Sequence, residues 1–333
     1  MAVVLNGFQK GLDPKILYAK GGKGVRRTGD DGRDSLRVMC WNIERGYEPE
    51  MLAGCINELD PDVVCLQEVD WGNARTGNVD VLDYLANKTG MQGLFGIEFF
   101  ELESPDRGAE LAGGGVHGNA ILSRRDFARA YRIELPALFD WTRPKPGEEK
   151  ASQPRLGGRF ALCAEVECGG SRVTFCSAHL ENIGGDVEGR VRQLESMLLQ
   201  LDAAATDTLR VVTGDFNTLG SWLTQLAHIT QSPRNKPWYR SECSWWQRSV
   251  LPRLGYVDTS DCREWTFEAY GFYRVKLDWI LVNQPGRVLR HGVGEFRSSD
   301  HRPIWVEMRI RDEKGDRERG SRGESVQSVP EIS

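Results

Sequence analysis

LRVMCWNIERGYEPEMLAGCINELDPDVVCLQEV, residues 36–69, reads as strand, helix and strand in succession. Leu36–Ile43 is an apolar run of strand length that ends in Trp41-Asn42-Ile43. Glu48–Leu59 then sets Leu52, Cys55, Ile56 and Leu59 on one face at helical spacing. Pro61 breaks that helix, and Val63-Val-Cys-Leu66 reads as a buried strand running into Gln67-Glu68-Val69. Both strands thus finish in polar residues.

The same alternation continues outward. Val116–Leu122, Phe160–Val166, Val173–Ala178, Leu209–Thr213, Leu277–Val282 and Ile304–Ile310 read as strands. Glu188–Leu201 is helical, with Val191, Leu194, Leu198 and Leu201 on one face. Mixed strands and helices over 36–311 predict a single layered α/β domain. Residues 1–35 show little periodicity and read as an N-terminal extension. The tail from Asp312 to Ser333 opens with a run of mixed charge without apolar side chains, Asp312–Arg319, and reads as disordered. Trp141–Gly158 and Ser232–Ser244 lack regular pattern and read as loops.

With 333 residues, 40% of them hydrophobic, the chain has material for a large core. A net charge of −5 argues against wholesale electrostatic capture of nucleic acid, though not against a local basic patch. None of the eight cysteines forms a C-x-x-C pair, which speaks against structural zinc. Cys40, Cys65, Cys163 and Cys176 sit in strand-like runs and are expected to be buried and reduced, as in an intracellular protein, cytoplasmic or nuclear. No apolar stretch is long enough to span a bilayer, and the N-terminus has no signal-peptide pattern.

Polar residues recur where the apolar strands end. His179-Leu180-Glu181-Asn182 follows one strand, and Gly214-Asp215-Phe216-Asn217 another. Asp278 follows Leu277, and Ser298-Ser-Asp-His-Arg-Pro303 precedes the last strand. Strand ends are where α/β sheets build sites. Carboxylates and amides are hard oxygen donors that suit Mg²⁺ or Mn²⁺ better than zinc. Histidines add proton transfer or phosphate contact near neutral pH. There is no G-x-S-x-G elbow, and Gly113-Gly-Gly115 lacks the Lys-Ser/Thr of a P-loop. A metal-activated water attacking phosphorus fits this set better than a covalent nucleophile. Each residue alone has a plainer reading as a cap, a turn former or a solvated carboxylate. Their joint occurrence in this order favours chemistry.

Trp41-Asn42-Ile43, Gln67-Glu68-Val69, Gly118-Asn-Ala-Ile-Leu-Ser123, His179-Leu180, Gly214-Asp-Phe-Asn217, Leu277-Asp278-Trp279 and Ser299-Asp-His-Arg-Pro303 resemble the successive motifs of the endonuclease/exonuclease/phosphatase superfamily. The resemblance spans about residues 36–311. It implies a four-layered α/β sandwich, two packed mixed β-sheets flanked by helices, and a metal-dependent phosphoesterase. By motif, Glu68 resembles the main metal ligand, with Asn42 beside it and Asp300 contributing. His301 resembles the general base, or in a competing scheme a phosphate-stabilising imidazolium, and Asp278 the carboxylate that orients it. Asp215 resembles the residue that positions water or protonates the leaving oxygen. Asn217 resembles the phosphate-binding amide. His179 falls where phosphate is contacted or a proton is donated, with Asn182 assisting.

The substrate is less legible. A phosphodiesterase of nuclease type leads. An inositol-phosphate phosphatase or a sphingomyelinase-like phospholipase C is the alternative. The aromatics Trp245-Trp246 and Trp265–Tyr273 read as a stacking platform for bases, as core packing, or as a lipid-facing surface. Arg274 and Lys276 point to phosphate or solvent. Arg190 reads as an exposed partner of a Glu, with phosphate contact as the other reading.

Overall fold

Alternation along the first strand decides the layering. In β2 (Ser35–Arg45), Val38 and Cys40 enter one core cluster while Met39, Trp41 and Ile43 enter another. A strand buried on both faces belongs between two layers. Helix α1 (Pro49–Leu59) starts with proline in its first turn and stops at Asp60, whose φ of 43° is left-handed. β3 (Val63–Trp71) then returns parallel to β2, with Val38 opposite Val63 and Asn42 opposite Gln67. The computed structural model describes residues 15–19, 34–143, 153–182, 187–204, 208–218, 242–295 and 298–310.

The first sheet adds β1 (Ile16–Ala19), β4 (Gln92–Glu101), β5 (Val116–Ser123), β7 (Arg155–Gly157), β15 (Val288–Val293) and β16 (Ile304–Arg309). Its order is β1-β4-β5-β3-β2-β16-β15, with β7 also paired to β4. The second sheet contains β6 (Phe127–Glu134), β8 (Phe160–Cys168), β9 (Ser171–His179), β10 (Leu209–Asp215), β11 (Val257–Asp258) and β14 (Asp278–Val282). Its order is β11-β14-β10-β9-β8-β6. β2–β3 and β9–β10 are parallel, and the other ladders are antiparallel. A hairpin of β12 (Phe267–Ala269) and β13 (Tyr273–Val275) stands apart from both sheets.

Three apolar clusters define four layers. Val38, Cys65, Ile121, Leu162, Phe175, Val211 and Val306 fill the space between the sheets. Leu52, Ile56, Leu82 and Leu85, from α1 and α2 (Val81–Thr89), cover the outer face of the first sheet. Leu194, Met197 and Leu201 of α3 (Val187–Ala204), with Trp246 and Leu251, cover the second. The four-layered α/β sandwich is therefore the observed architecture.

Several readings change. Ile16–Ala19, inside the stretch read as an extension, is an edge strand on β4. Arg155–Gly157 is a strand within a segment read as loop, and Glu242–Trp245, at the end of the other loop, is helical. Residues 144–152, 232–241 and 312–333 lie outside the described residues. Cys163 and Cys176 oppose each other directly across β8 and β9, Cα atoms 4.3 Å apart, and form a disulfide instead of two thiols. Cys40 and Cys65 are free and buried as expected, and burial pushes the Cys65 thiol up to about 12. Trp246 is core. Lys276 is buried against Asp258 at 3.3 Å and does not face solvent.

Arg190 does pair with a glutamate, but out of solvent. Its Nη2 meets Glu242 Oε2 at 2.7 Å and its Nε meets Oε1 at 3.1 Å, both side chains buried. Arg190→Ala leaves the Glu242 carboxylate without that partner. It is expected to lower the unfolding free energy by about 3–5 kcal/mol in urea denaturation. A loss near zero would remove the pair from the account of stability.

Candidate active site

Register brings the polar strand ends together. Asp215, the last residue of β10, lies opposite His179 on its parallel neighbour and opposite Asp278 on its antiparallel neighbour. The other sheet contributes through the adjoining ends of β2 and β16. Trp41 Nε1 donates to the His301 carbonyl at 2.9 Å, and Ser299 Oγ donates to the Asn42 carbonyl at 2.7 Å. Ser299 Oγ also accepts the His301 N–H at 3.0 Å, fixing the turn that presents the histidine. Glu68 sits at an irregularity in both β3 ladders with a φ of 55°. That left-handed residue is costly inside a strand, and such strain collects at functional sites.

His301 Nδ1 lies 2.7 Å from Asp278 Oδ2. Its Nε2 faces Asp215 Oδ2 at 3.7 Å, and His179 Nε2 faces the same oxygen at 3.5 Å. Asp215 Oδ2 is thus flanked by two imidazoles. Asn42 Nδ2 donates to that oxygen at 3.0 Å and to Glu68 Oε1 at 3.2 Å, so one amide ties carboxylates from both sheets. Asn42 Oδ1 accepts the Glu44 N–H at 3.1 Å, which orients the amide. Asn217, at φ 52°, donates its N–H to Asp215 Oδ1 at 2.9 Å and its amide to the Leu180 carbonyl at 3.0 Å. The cleft therefore gathers Asn42, Glu68, His179, Asp215, Asn217, Asp278 and His301. Asn182 is exposed just past the end of β9.

The electrostatics follow from crowding out of water. Burial raises Asp215 to about 7, with His301 opposing and Asp278 adding to the rise. Burial works against a charged His301, but Asp278 and Asp215 outweigh it and raise its proton affinity. These groups titrate as a unit. Burial and the Arg159 guanidinium hold His179 well below its ordinary value, so its imidazole is neutral at pH 7.

The donor set fits a hard divalent cation. Burial raises Asp300 to about 6, and repulsion from Glu68, Glu44 and Asp278 adds to it, with His301 opposing. A bound cation would favour the ionised Asp300, while nearby His179, His117 and Arg45 and the Asn42 amide outweigh burial and hold Glu68 well below the usual carboxylate range. Asp215, Asp278 and His301 also bring one ligand-type atom each within 4.8 Å of the others. The Asp278–His301 bond already occupies two of those groups, while Asp278 Oδ1 is buried without a hydrogen bond. Glu68 and Asp300, whose charges repel each other, offer a second set of carboxylate oxygens.

Three contributors escaped the sequence reading. His117, buried on β5 and held below its ordinary value by that burial, bonds through Nδ1 to Asp70 Oδ1 at 2.8 Å; its protonated form would favour an ionised Glu68 and disfavour a charged His179. Asp70 is held by Arg75 at 2.6 and 2.7 Å, and Arg75 reaches Glu101 at 2.9 Å. Glu44 Oε2 accepts the Asp300 N–H at 3.1 Å. Arg159, bonded to Glu98 at 3.0 Å, sets the potential at His179. His117 is one residue before the Gly118–Ser123 motif and Glu44 one after Trp41-Asn42-Ile43, so the motifs' immediate flanks were the available signal.

Residues 39–301 match the model of the Endonuclease/Exonuclease/phosphatase family. No curated protein matches the chain. Among solved structures, it is similar to an endonuclease/exonuclease/phosphatase from Beutenbergia cavernae. There the identity is 22% and the TM-score 0.59, over 84% of this chain and 72% of that one. The human Nocturnin catalytic domain with bound sulfate is 18% identical with a TM-score of 0.52, over 84% and 96% of the two chains. ANGEL2, described as a 2′,3′-cyclic phosphatase, is 14% identical with a TM-score of 0.54, over 90% and 99%. At these identities the structural likeness speaks for the fold alone.

Proposed function

Because the chain belongs to the endonuclease/exonuclease/phosphatase family, a family of hydrolases acting on phosphoester bonds, we propose that it is a divalent-metal-dependent phosphodiesterase of nuclease type. The observation that carries this reading is Asp215 Oδ2 lying between two imidazole nitrogens, 3.5 and 3.7 Å away, with Asp278 behind one of them. Cleaving a diester needs a proton removed from water and a proton delivered to the departing alkoxide. This cleft has separate groups for both.

Asp278 holds the Nδ1 side of His301, which fixes ring angle and turns Nε2 toward the reacting water; with its raised proton affinity offset by a cation bound beside the pair, Nε2 takes the proton from water. The two neighbouring carboxylates favour the imidazolium so formed. Asp215, raised toward neutrality by burial, holds a proton for the leaving oxygen. Neutral His179 contacts a phosphoryl oxygen through Nε2, and the Asn217 amide, assisted by Asn182 at the rim, contacts another. Asn42 keeps Glu68 and Asp215 in register. Glu68, Asp300 and Asn42 would hold Mg²⁺ or Mn²⁺, which when bound supplies positive charge at the phosphoryl group and acidifies water.

A panel of single-stranded DNA and RNA, nicked-plasmid formation, inositol polyphosphates and sphingomyelin tests this reading. Cleavage of nucleic acid is expected with Mg²⁺ or Mn²⁺. EDTA is expected to reduce it at least about a hundredfold, and added Mg²⁺ to restore it. Hydrolysis of sphingomyelin or inositol phosphate alone, or full activity in EDTA, contradicts it.

A further inference from the structure

The β12–β13 hairpin grows directly out of the catalytic turn. Phe267 bridges to His301 in the backbone, and its ring lies 5.0 Å from the His301 ring at 59°. Glu268 donates its N–H to the Asp300 carbonyl at 3.1 Å, and Arg302 donates its N–H to Thr266 at 2.6 Å. Thr266 Oγ1 accepts the Leu277 and Asp278 N–H groups at 2.9 and 3.0 Å. The base of the hairpin is therefore fixed to both members of the His301–Asp278 dyad.

Its tip does the opposite of burying apolar surface. Tyr270 is 88% exposed and Phe272 78% exposed, more than any other large hydrophobic side chain among the described residues. Their rings lie 6.4 Å apart within 33° of parallel. Tyr270 and Gly271 both have positive φ, 55° and 71°, and the Phe272 N–H returns to the Ala269 carbonyl at 3.3 Å. Glycine suits such a turn, but a bulky tyrosine there is strained. Core packing is no reason for this strain, because the side chain packs into no core.

We infer that the hairpin is a stacking platform on which Tyr270 and Phe272 receive nucleobases of a single strand whose phosphate lies in the cleft. This rests on the diester reading and adds how the substrate is gripped. Three to four residues of strand at about 3.3 Å each put the tip about 10 Å from His301. That spans about three stacked nucleotides at about 3.4 Å of rise. Cationic groups suited to flanking phosphates line the base. The Arg274 and Arg302 guanidinium groups sit 4.5 and 4.4 Å from the Trp265 ring, Arg274 also meeting Glu268 at 2.6 Å. A lipid surface fits less well. Only two rings project, and the Glu268–Arg274 pair within three residues of them would lose water on insertion.

The test compares wild type with the Tyr270→Ser/Phe272→Ser double variant on a ten-nucleotide oligothymidylate and on an abasic strand of equal length, with Mg²⁺. On the oligothymidylate the variant is expected to raise KM at least about tenfold, in line with the loss of base stacking, while kcat stays within about twofold. On the abasic strand the two proteins are expected to have the same KM. An unchanged KM on oligothymidylate overturns the platform while leaving the diester reading intact. Wild-type inactivity on both strands overturns the platform as drawn, and inactivity on single-stranded RNA as well overturns the diester reading itself. Binding to sphingomyelin–phosphatidylcholine vesicles that the double variant abolishes, with oligothymidylate KM unchanged, overturns the platform in favour of a lipid-facing hairpin.

Discussion

Glu68→Gln is expected to lower kcat at least about a hundredfold with the fold intact. The substitution keeps the size of the side chain and an oxygen to accept the Asn42 amide, at present 3.2 Å away. It removes the negative charge that makes this side chain a ligand for a hard cation. It also removes a charge that raises Asp300, so Asp300 ionises more readily, but the oxygen set carries one negative charge fewer and holds a cation less tightly. The loss should therefore appear both as a lower kcat at saturating Mg²⁺ and as a higher Mg²⁺ concentration for half-maximal rate. A kcat near wild type with Mg²⁺ supplied would remove Glu68 from the metal site.

The second large effect concerns the dyad. His301→Ala removes the proton acceptor, and Asp278→Asn replaces an acceptor on Nδ1 with a group able to donate there. That favours the wrong tautomer and leaves Nε2 protonated. Each is expected to cost at least about a hundredfold in kcat. Groups that act as one unit give non-additive losses, so the double variant should be no slower than about the worse single one. If the two losses multiply, the residues act independently and the dyad assignment is wrong.

Much of the fold was legible because β2, β3, β8, β9 and β10 are buried on both faces and read as continuous apolar runs. β4 was not. It carries Gln92, Glu98 and Glu101, which are buried only because partners such as Arg159, Arg75 and Arg107 come from elsewhere. β6 and β15 are edge strands with exposed positions, so little in their patterns separates them from loops. The Cys163–Cys176 pairing needed the β8–β9 register, which sequence does not show.

The site divides along the same line. Asn42, Asp215 and Asp278 lie at or near strand ends, where local pattern suffices to notice them. His117 lies within β5, opposite Asp70, and its relation to Glu68 depends on three adjoining strands. The aromatic run showed its composition but not its division. Trp246 went to the core, Phe267 to the His301 ring, and Tyr270 and Phe272 to solvent.

The central claim is that side chains spread from Asn42 to His301 form one cleft that grips a divalent cation. Anomalous diffraction from crystals grown with Mn²⁺ tests it most directly. The expected result is a manganese peak bonded to the Glu68 carboxylate, beside Asp300 and Asn42, with the His301–Asp278 pair facing it. Manganese ordered only elsewhere, with none at Glu68, would contradict it.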